Sequence, residues 1–96
     1  MTYALLASPA AQRELDDLPS DIADGLRLVL HALAKTPYSK RFDVKLLRGG
    51  TPGIKSWRLR VGEYRAILQF DHEAEEIHVV RIGHRSTVYR GWPDWV

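Results

Sequence analysis

The stretch from Ser56 to Phe70 constrains the fold of this chain more than any other. Trp57, Leu59 and Val61 alternate with Ser56, Arg58 and Arg60, the period-two pattern of a strand with one apolar and one polar face. Gly62-Glu63 then turns the chain, and Tyr64 to Phe70 reads as the returning strand. Asp71 to Glu75 is a polar turn, and Ile77 to Ile82 makes a further long strand. Upstream, Phe42 to Leu47 reads as a short strand, followed by a turn-rich loop, Gly49-Gly50-Thr51-Pro52-Gly53. Connections this short predict an antiparallel meander.

The first third of the chain has a different period. Tyr3 to Ala7 is a short apolar run that ends at Ser8-Pro9, an N-cap residue followed by proline at the first helical position. A strand and then a helix are expected. Pro19 disfavours helical geometry at Leu18, so this helix stops near Leu18 and a second opens at Pro19 or Ser20. In the second, Ile22, Leu26, Val29, Leu30 and Leu33 form one apolar stripe, and Thr36-Pro37 ends it. Two helices with so short a break make an antiparallel hairpin that must bury its stripes on a surface. The expected architecture is α+β: an N-terminal strand, a helical hairpin, then a three- to four-stranded antiparallel sheet. The helices cover one sheet face and the arginines occupy the other.

With 96 residues there is room for one domain, residues 1–96, burying roughly two-thirds of the surface of the unfolded chain. The 45% apolar and 27% charged composition argues against disorder, collagen and coiled coil. No cysteine is present, which removes disulfide scaffolds, Cys-based zinc sites and thiol nucleophiles. No apolar run approaches the roughly 20 residues that span a bilayer. The first basic residue is Arg13, so a signal-peptide basic region is missing and a cytoplasmic location without membrane contact is expected.

The formal charge is only +2, but it is unevenly spread. Residues 1–35 and residues 66–96 each carry three Lys/Arg against five Asp/Glu. Residues 36–65 carry eight basic groups against Asp43 and Glu63, a net of +6. These are Lys40, Arg41, Lys45, Arg48, Lys55, Arg58, Arg60 and Arg65. One sign of charge gathered in one stretch is the footprint of a polyanion site.

Many chemistries lack their parts. The chain has no G-x-S-x-G elbow, no HExxH, and no G-x-x-x-x-G-K-[ST] loop. The four histidines fall at no metal-ligand spacing, so neither a metal site nor a cofactor is expected. His31 reads as a surface or core histidine, His72 as a turn residue without function, and His78 as an exposed sheet position. What remains is Arg58 and Arg60 on one sheet face, Arg65 across the hairpin turn, and Gly83-His84-Arg85 at the end of a strand, with Tyr89 four residues on. Guanidinium groups offer forked donors matched to phosphate oxygens and stay charged at physiological pH. The competing reading pairs Arg58 and Arg60 with the acids at Asp71, Glu73, Glu75 and Glu76.

At these residues the sequence resembles the RelE branch of the RelE/ParE toxin superfamily. The resemblance rests on Trp57-Arg58-Leu59-Arg60-Val61-Gly62-Glu63-Tyr64-Arg65, on Ile82-Gly83-His84-Arg85, on Val88-Tyr89-Arg90 and on Lys45-Leu46-Leu47-Arg48-Gly49. It implies the RelE-like microbial RNase fold and a metal-independent endoribonuclease that cuts translated mRNA in the ribosomal A site. It further implies a cognate RelB-like antitoxin in a heteromeric assembly, with operator DNA bound only through that complex. By the same resemblance Arg65 is the principal phosphate-contacting arginine, Arg85 the second, and Tyr89 the tyrosine that acts on the 2′-hydroxyl or stacks on a base. Arg58 and Arg60 take positions that line the RNA groove, and Lys45, Arg48 and Lys55 extend the basic surface. Ser56 stands where the family often has a basic residue.

RNA cleavage without metal requires a deprotonated 2′-hydroxyl, charge stabilisation at phosphorus and protonation of the leaving 5′-oxygen. A free tyrosine, with a pKa near 10, is a weak base at neutral pH, whereas imidazole near 6.5 suits proton transfer. His84 is therefore a further candidate, although a regular strand would point it away from Arg85. Two rival readings keep the fold and change the function: a ParE-like poison of DNA gyrase, and a non-catalytic member of an autoregulatory complex. The tail, Gly91-Trp92-Pro93-Asp94-Trp95-Val96, reads as cover for a sheet edge or as part of a partner's groove.

Overall fold

The computed structural model describes residues 2–49 and 52–92. Within them β1 (Ala4–Ala7), α1 (Pro9–Asp16), α2 (Ser20–Lys35), β2 (Val44–Leu46), β3 (Trp57–Val61), β4 (Tyr64–Asp71) and β5 (Glu76–His84) follow in order. The architecture is the expected α+β arrangement. β2 to β5 form the antiparallel meander, and β1 joins in parallel on the outer side of β5, giving a five-stranded sheet ordered β1-β5-β4-β3-β2. β2 is shorter than the pattern of Phe42 to Leu47 predicts, and Gly50 and Thr51 of the loop after it lie outside the described residues. No helix among the described residues is long and apolar enough to cross a membrane.

Ser8 starts α1 as the sequence predicts and does more. Its Oγ accepts from the Ala11 N–H at 3.0 Å and donates to the Val80 carbonyl at 2.8 Å, so one hydroxyl caps the helix and ties it to β5. The tie sits at an irregularity. Between Ile67 and Leu68 the β4–β5 register slips, with Ile67 opposite Arg81 and Leu68 opposite Val79. β1 ends at the Ala7–Val79 pair, so the rest of β5 would present an open edge. Glu14 on α1 covers it: its carboxylate accepts from the Ile82 N–H at 3.1 Å and from Arg81 Nε at 3.0 Å.

The helix-side face of the sheet carries the core. Leu59, Ala66, Leu68, Ile77, Val79 and Ile82 pack with Ala11 and Leu15 of α1 and Leu26, Leu30 and Leu33 of α2. Burying each of the larger side chains stabilises the fold by about 1.5–3 kcal/mol before entropy is counted. The predicted stripe of α2 is present, with Ile22 and Val29 at its half-buried margin.

At the end of the core below the helices lies a polar aromatic cluster that the sequence did not reveal. The buried Tyr3 hydroxyl is 2.7 Å from the Tyr38 hydroxyl and 2.8 Å from His72 Nδ1. The His72 ring stacks on Phe70 at 5.6 Å and on Tyr38 at 5.4 Å. His72, assigned no function from its place in a polar turn, thus clamps the β4–β5 turn against the start of β1. The hydrogen bond with Tyr38, followed by burial, pushes the Tyr3 hydroxyl up from 10.0 to about 12. A raised folded-state pKa favours the protonated, folded form, so this contribution is intact below about pH 10 and is lost as pH rises towards about 12. Tyr3→Phe should therefore flatten the fall in Tm across that window relative to the parent, as thermal melts at stepped alkaline pH would show.

Candidate active site

Cross-strand register builds the arginine face. Paired residues of an antiparallel ladder share a face, and Arg60 stands opposite Arg65 while Arg58 stands opposite Ile67 on one side and Lys45 on the other. Like charges directly opposite destabilise a sheet by a few tenths of a kcal/mol to about 1 kcal/mol. The two acids of the basic stretch offset this. Asp43, just before β2, places Oδ1 3.1 Å from Arg58 NH1 and Oδ2 3.9 Å from Arg60 NH1. Glu63, in the β3–β4 turn, pairs its carboxylate with Arg85 and accepts the Arg85 N–H on its carbonyl at 2.8 Å. The alternative pairing of Arg58 and Arg60 with the acids at 71–76 is not what forms; the acid just before β2 is nearer.

Arg65 is held differently. Its NH1 donates to the carbonyls of Gly62 and Tyr64, both at 2.9 Å, and among the described residues no carboxylate pairs with it. The tight turn that lets Arg65 follow Gly62 requires a positive φ of 59° at that glycine. One guanidinium nitrogen thus fixes the side chain to the turn while its charge stays uncompensated by an acid.

The chain leaves β5 at His84 and folds back. The N–H groups of Thr87 and Val88 both donate to the His84 carbonyl, at 3.0 and 2.9 Å, and Val88 is buried against Gly83. A methyl group on Gly83 would just touch Val88 Cβ at 3.4 Å, so the returning segment lies directly over Gly83 with room for little more than a methyl between them. This turn brings His84, Arg85 and Tyr89 to one place although strand alternation separates the first two. His84 Nδ1 accepts from the Ser86 N–H at 3.1 Å and lies 2.7 Å from Ser86 Oγ. With Nδ1 acting as acceptor, the neutral ring carries its proton on Nε2. The ring also meets Tyr64 edge to face at 5.4 Å.

The result is an open cleft of about 450 Å³ lined by Arg58, Arg65, His84, Arg85, Ser86 and Tyr89. All four proposed catalytic residues line it, and of the five proposed RNA-binding residues Arg58 does. Arg60 and Lys45 share its sheet face outside the cleft, beside Arg65 and Arg58 respectively. Arg48 is exposed after β2, where its carbonyl accepts from Trp92 Nε1 at 3.0 Å. Lys55 lies in a different cleft, with Gln69 and His78. Trp92 therefore packs towards the β2 side of the sheet, and Trp95 of the tail lies outside the described residues. His31 is exposed on α2. Among the described residues no group of three or more His, Asp or Glu side chains is placed to hold a metal. Asp43, Glu63, Ser86 and the Gly83–Val88 contact were not singled out from sequence; the only hint was that Asp43 and Glu63 are the two acids of the basic stretch.

The model of the ParE toxin of type II toxin-antitoxin systems, parDE, matches residues 5–89. No curated protein matches the chain. Among solved structures, the archaeal RelE-RelB complex from Pyrococcus horikoshii OT3 is similar at 25% identity and a TM-score of 0.73, over 92% of this chain and 100% of that one. The toxin-antitoxin complex RelBE2 from Mycobacterium tuberculosis is 26% identical with a TM-score of 0.72, over 90% of this chain and 94% of that one. The isolated E. coli RelE toxin is 25% identical with a TM-score of 0.65, over 86% of this chain and 84% of that one.

Because Val88 rests where a side chain at 83 would project, Gly83→Leu should unseat the segment that carries Arg85 and Tyr89 without touching the helix-side core. Hydrogen exchange should quicken at the Val88 amide while the amides of α2 keep the parent's protection.

Proposed function

The chain belongs to the ParE toxin family of type II toxin-antitoxin systems, a toxin with a RelE-like fold, and from that premise we propose that it is a ribosome-dependent mRNA endonuclease. The observation that carries this reading is the cleft itself, which gathers three guanidinium groups, an imidazole and a phenol. In the proposed reaction the 2′-oxygen of the RNA attacks the adjacent phosphorus and its proton passes to a base. The bond to the 5′-oxygen breaks, and that oxygen leaves with a proton from an acid. The products are a 2′,3′-cyclic phosphate and a 5′-hydroxyl. Arg65 and Arg85 stabilise the charge that builds on the non-bridging oxygens, and Arg58 holds the flanking strand.

The tautomer of His84 divides the proton work. A ring whose Nδ1 is occupied by the Ser86 amide presents Nε2–H, a donor, to the cleft. His84 therefore fits the leaving-group side, and the Tyr89 hydroxyl fits the 2′-hydroxyl side. Both are modest catalysts alone, which accords with a reaction that needs the ribosome to orient the mRNA. The partner in this reading is a RelB-like antitoxin, an acidic chain suited to the basic stretch, and the solved complexes of similar toxins support it. The cell compartment of such a target is the cytoplasm.

A second reading has an observation of its own: the family model that matches is that of ParE, and a ParE-like gyrase poison needs no RNA chemistry. One set of variants separates the two. On ribosomes with an open A site, Arg65→Ala and Tyr89→Phe should each lower mRNA cleavage by about 100-fold or more, mapped by primer extension. Inhibition of gyrase supercoiling that survives Arg65→Ala, with mRNA left intact, would favour the second reading. Glu63→Gln should act in the opposite sense to Arg65→Ala. The Glu63–Arg85 pair is exposed and such pairs contribute about 0–1 kcal/mol, so freeing Arg85 should tighten single-stranded RNA binding a few-fold at low salt and less as salt is raised.

A further inference from the structure

A second cleft lies at the far end of β4 from Arg65, with Gln69 and His78 of the arginine face in its wall, and we propose that it is a nucleotide subsite for the same RNA strand that occupies the arginine cleft, so that it rests on the reading above. Gln69, Ile67 and Arg65 alternate along β4 on one face, with Ser56, just before β3, beside Gln69 and His78 opposite Gln69 on β5. Lys55, Asp71 and the stacked Phe70 and His72 join Gln69 and His78 in enclosing about 480 Å³. From Arg65 to Gln69 is four residues of strand, roughly 14 Å at about 3.4 Å per residue. Arg58, in the wall of the arginine cleft, and Lys45 beside it stand level with Ile67, midway from Arg65 to Gln69 along the strands. A single strand following the basic groove from Arg65 reaches this cleft within a few nucleotides.

The groups in the cleft are arranged as acceptors beside a cation. Gln69 Nε2 donates to Ser56 Oγ at 3.3 Å, which leaves Gln69 Oε1 to accept. His78 Nε2 is 3.0 Å from Glu76 Oε1, and a ring that donates to a carboxylate there keeps Nδ1 as an acceptor. Ser56, 2% exposed, lies behind Gln69 and fixes the orientation of its amide. Asp71, the acid at the rim, is engaged by the Ala74 N–H at 2.9 Å. The exposed Lys55 supplies the charge for a phosphate. Two acceptors and a cation match a nucleotide whose base carries an exocyclic amino group, such as adenine.

The test compares 2′-O-methyl oligoadenylates, which bind and are not cut: a dinucleotide that fills only the arginine cleft and a hexanucleotide that reaches both. The parent should bind the hexanucleotide about tenfold more tightly than the dinucleotide, one well-bound base being worth that much or more. In the Gln69→Ala/His78→Ala protein that ratio should fall to about one, with dinucleotide binding serving as the check that the variant folds. A ratio that stays at the parent's value, or an equal loss at both lengths, overturns the subsite. Arg65→Ala should weaken both oligonucleotides. If it does while the ratio is indifferent to the double variant, the subsite alone is wrong; if the parent binds neither length, the RNA reading falls and the subsite with it.

Discussion

Three consecutive residues of β4, Ala66, Ile67 and Leu68, are each 0% exposed, and most of the molecule follows from that. Neighbours along a strand face opposite sides, so the central strand must be covered on both faces. The helical hairpin covers Ala66 and Leu68. Ile67 falls on the arginine face, with Arg58 and Arg81 in register on either side, and on that face the chain returns through Val88 over Gly83. The segment that carries Arg85 and Tyr89 is thus part of how the sheet is buried as well as part of the cleft.

The charges obey a second constraint. Arginines gathered for a polyanion repel one another until it arrives, and Arg60 opposite Arg65 is the sharpest instance. Asp43 and Glu63 lower that repulsion, and the pairs they make with Arg60 and Arg85 are exposed on both sides and weak. A phosphate can therefore exchange with them at small cost. Arg65, braced by carbonyls alone, needs no such exchange. The site holds its cations in position while keeping their charge available, which is what stabilising a developing anion requires.

How legible this was in the sequence varied with the range of the interaction. Local signals were clear: Ser8-Pro9 marked the start of α1, the stripe from Ile22 to Leu33 marked the buried face of α2, and the alternation from Ser56 to Val61 set the arginine face. Gly62-Glu63 located Arg65 across from Arg60. Non-local events were not readable. The clamp of His72 between Tyr38 and Phe70 joins residues more than thirty positions apart, and the service of Asp43 to two arginines depends on the β2–β3 register. His84 and Arg85 share a cleft only because β5 ends between them, and no periodicity announces where a strand stops. The Gly83–Val88 contact had a visible glycine but no visible reason for it.

The parallel pairing of β1 with β5 joins Ala4–Ala7 to residues 76–79, and it dictates an order of events during synthesis. A contact between segments so far apart in sequence is slow to form and cannot form until both have been made. The sheet on which both helices pack stays incomplete while β5 is still within the ribosome, and the returning segment with Arg85 and Tyr89 emerges later still. The cleft is therefore unfinished until the segment that follows β5 has been made.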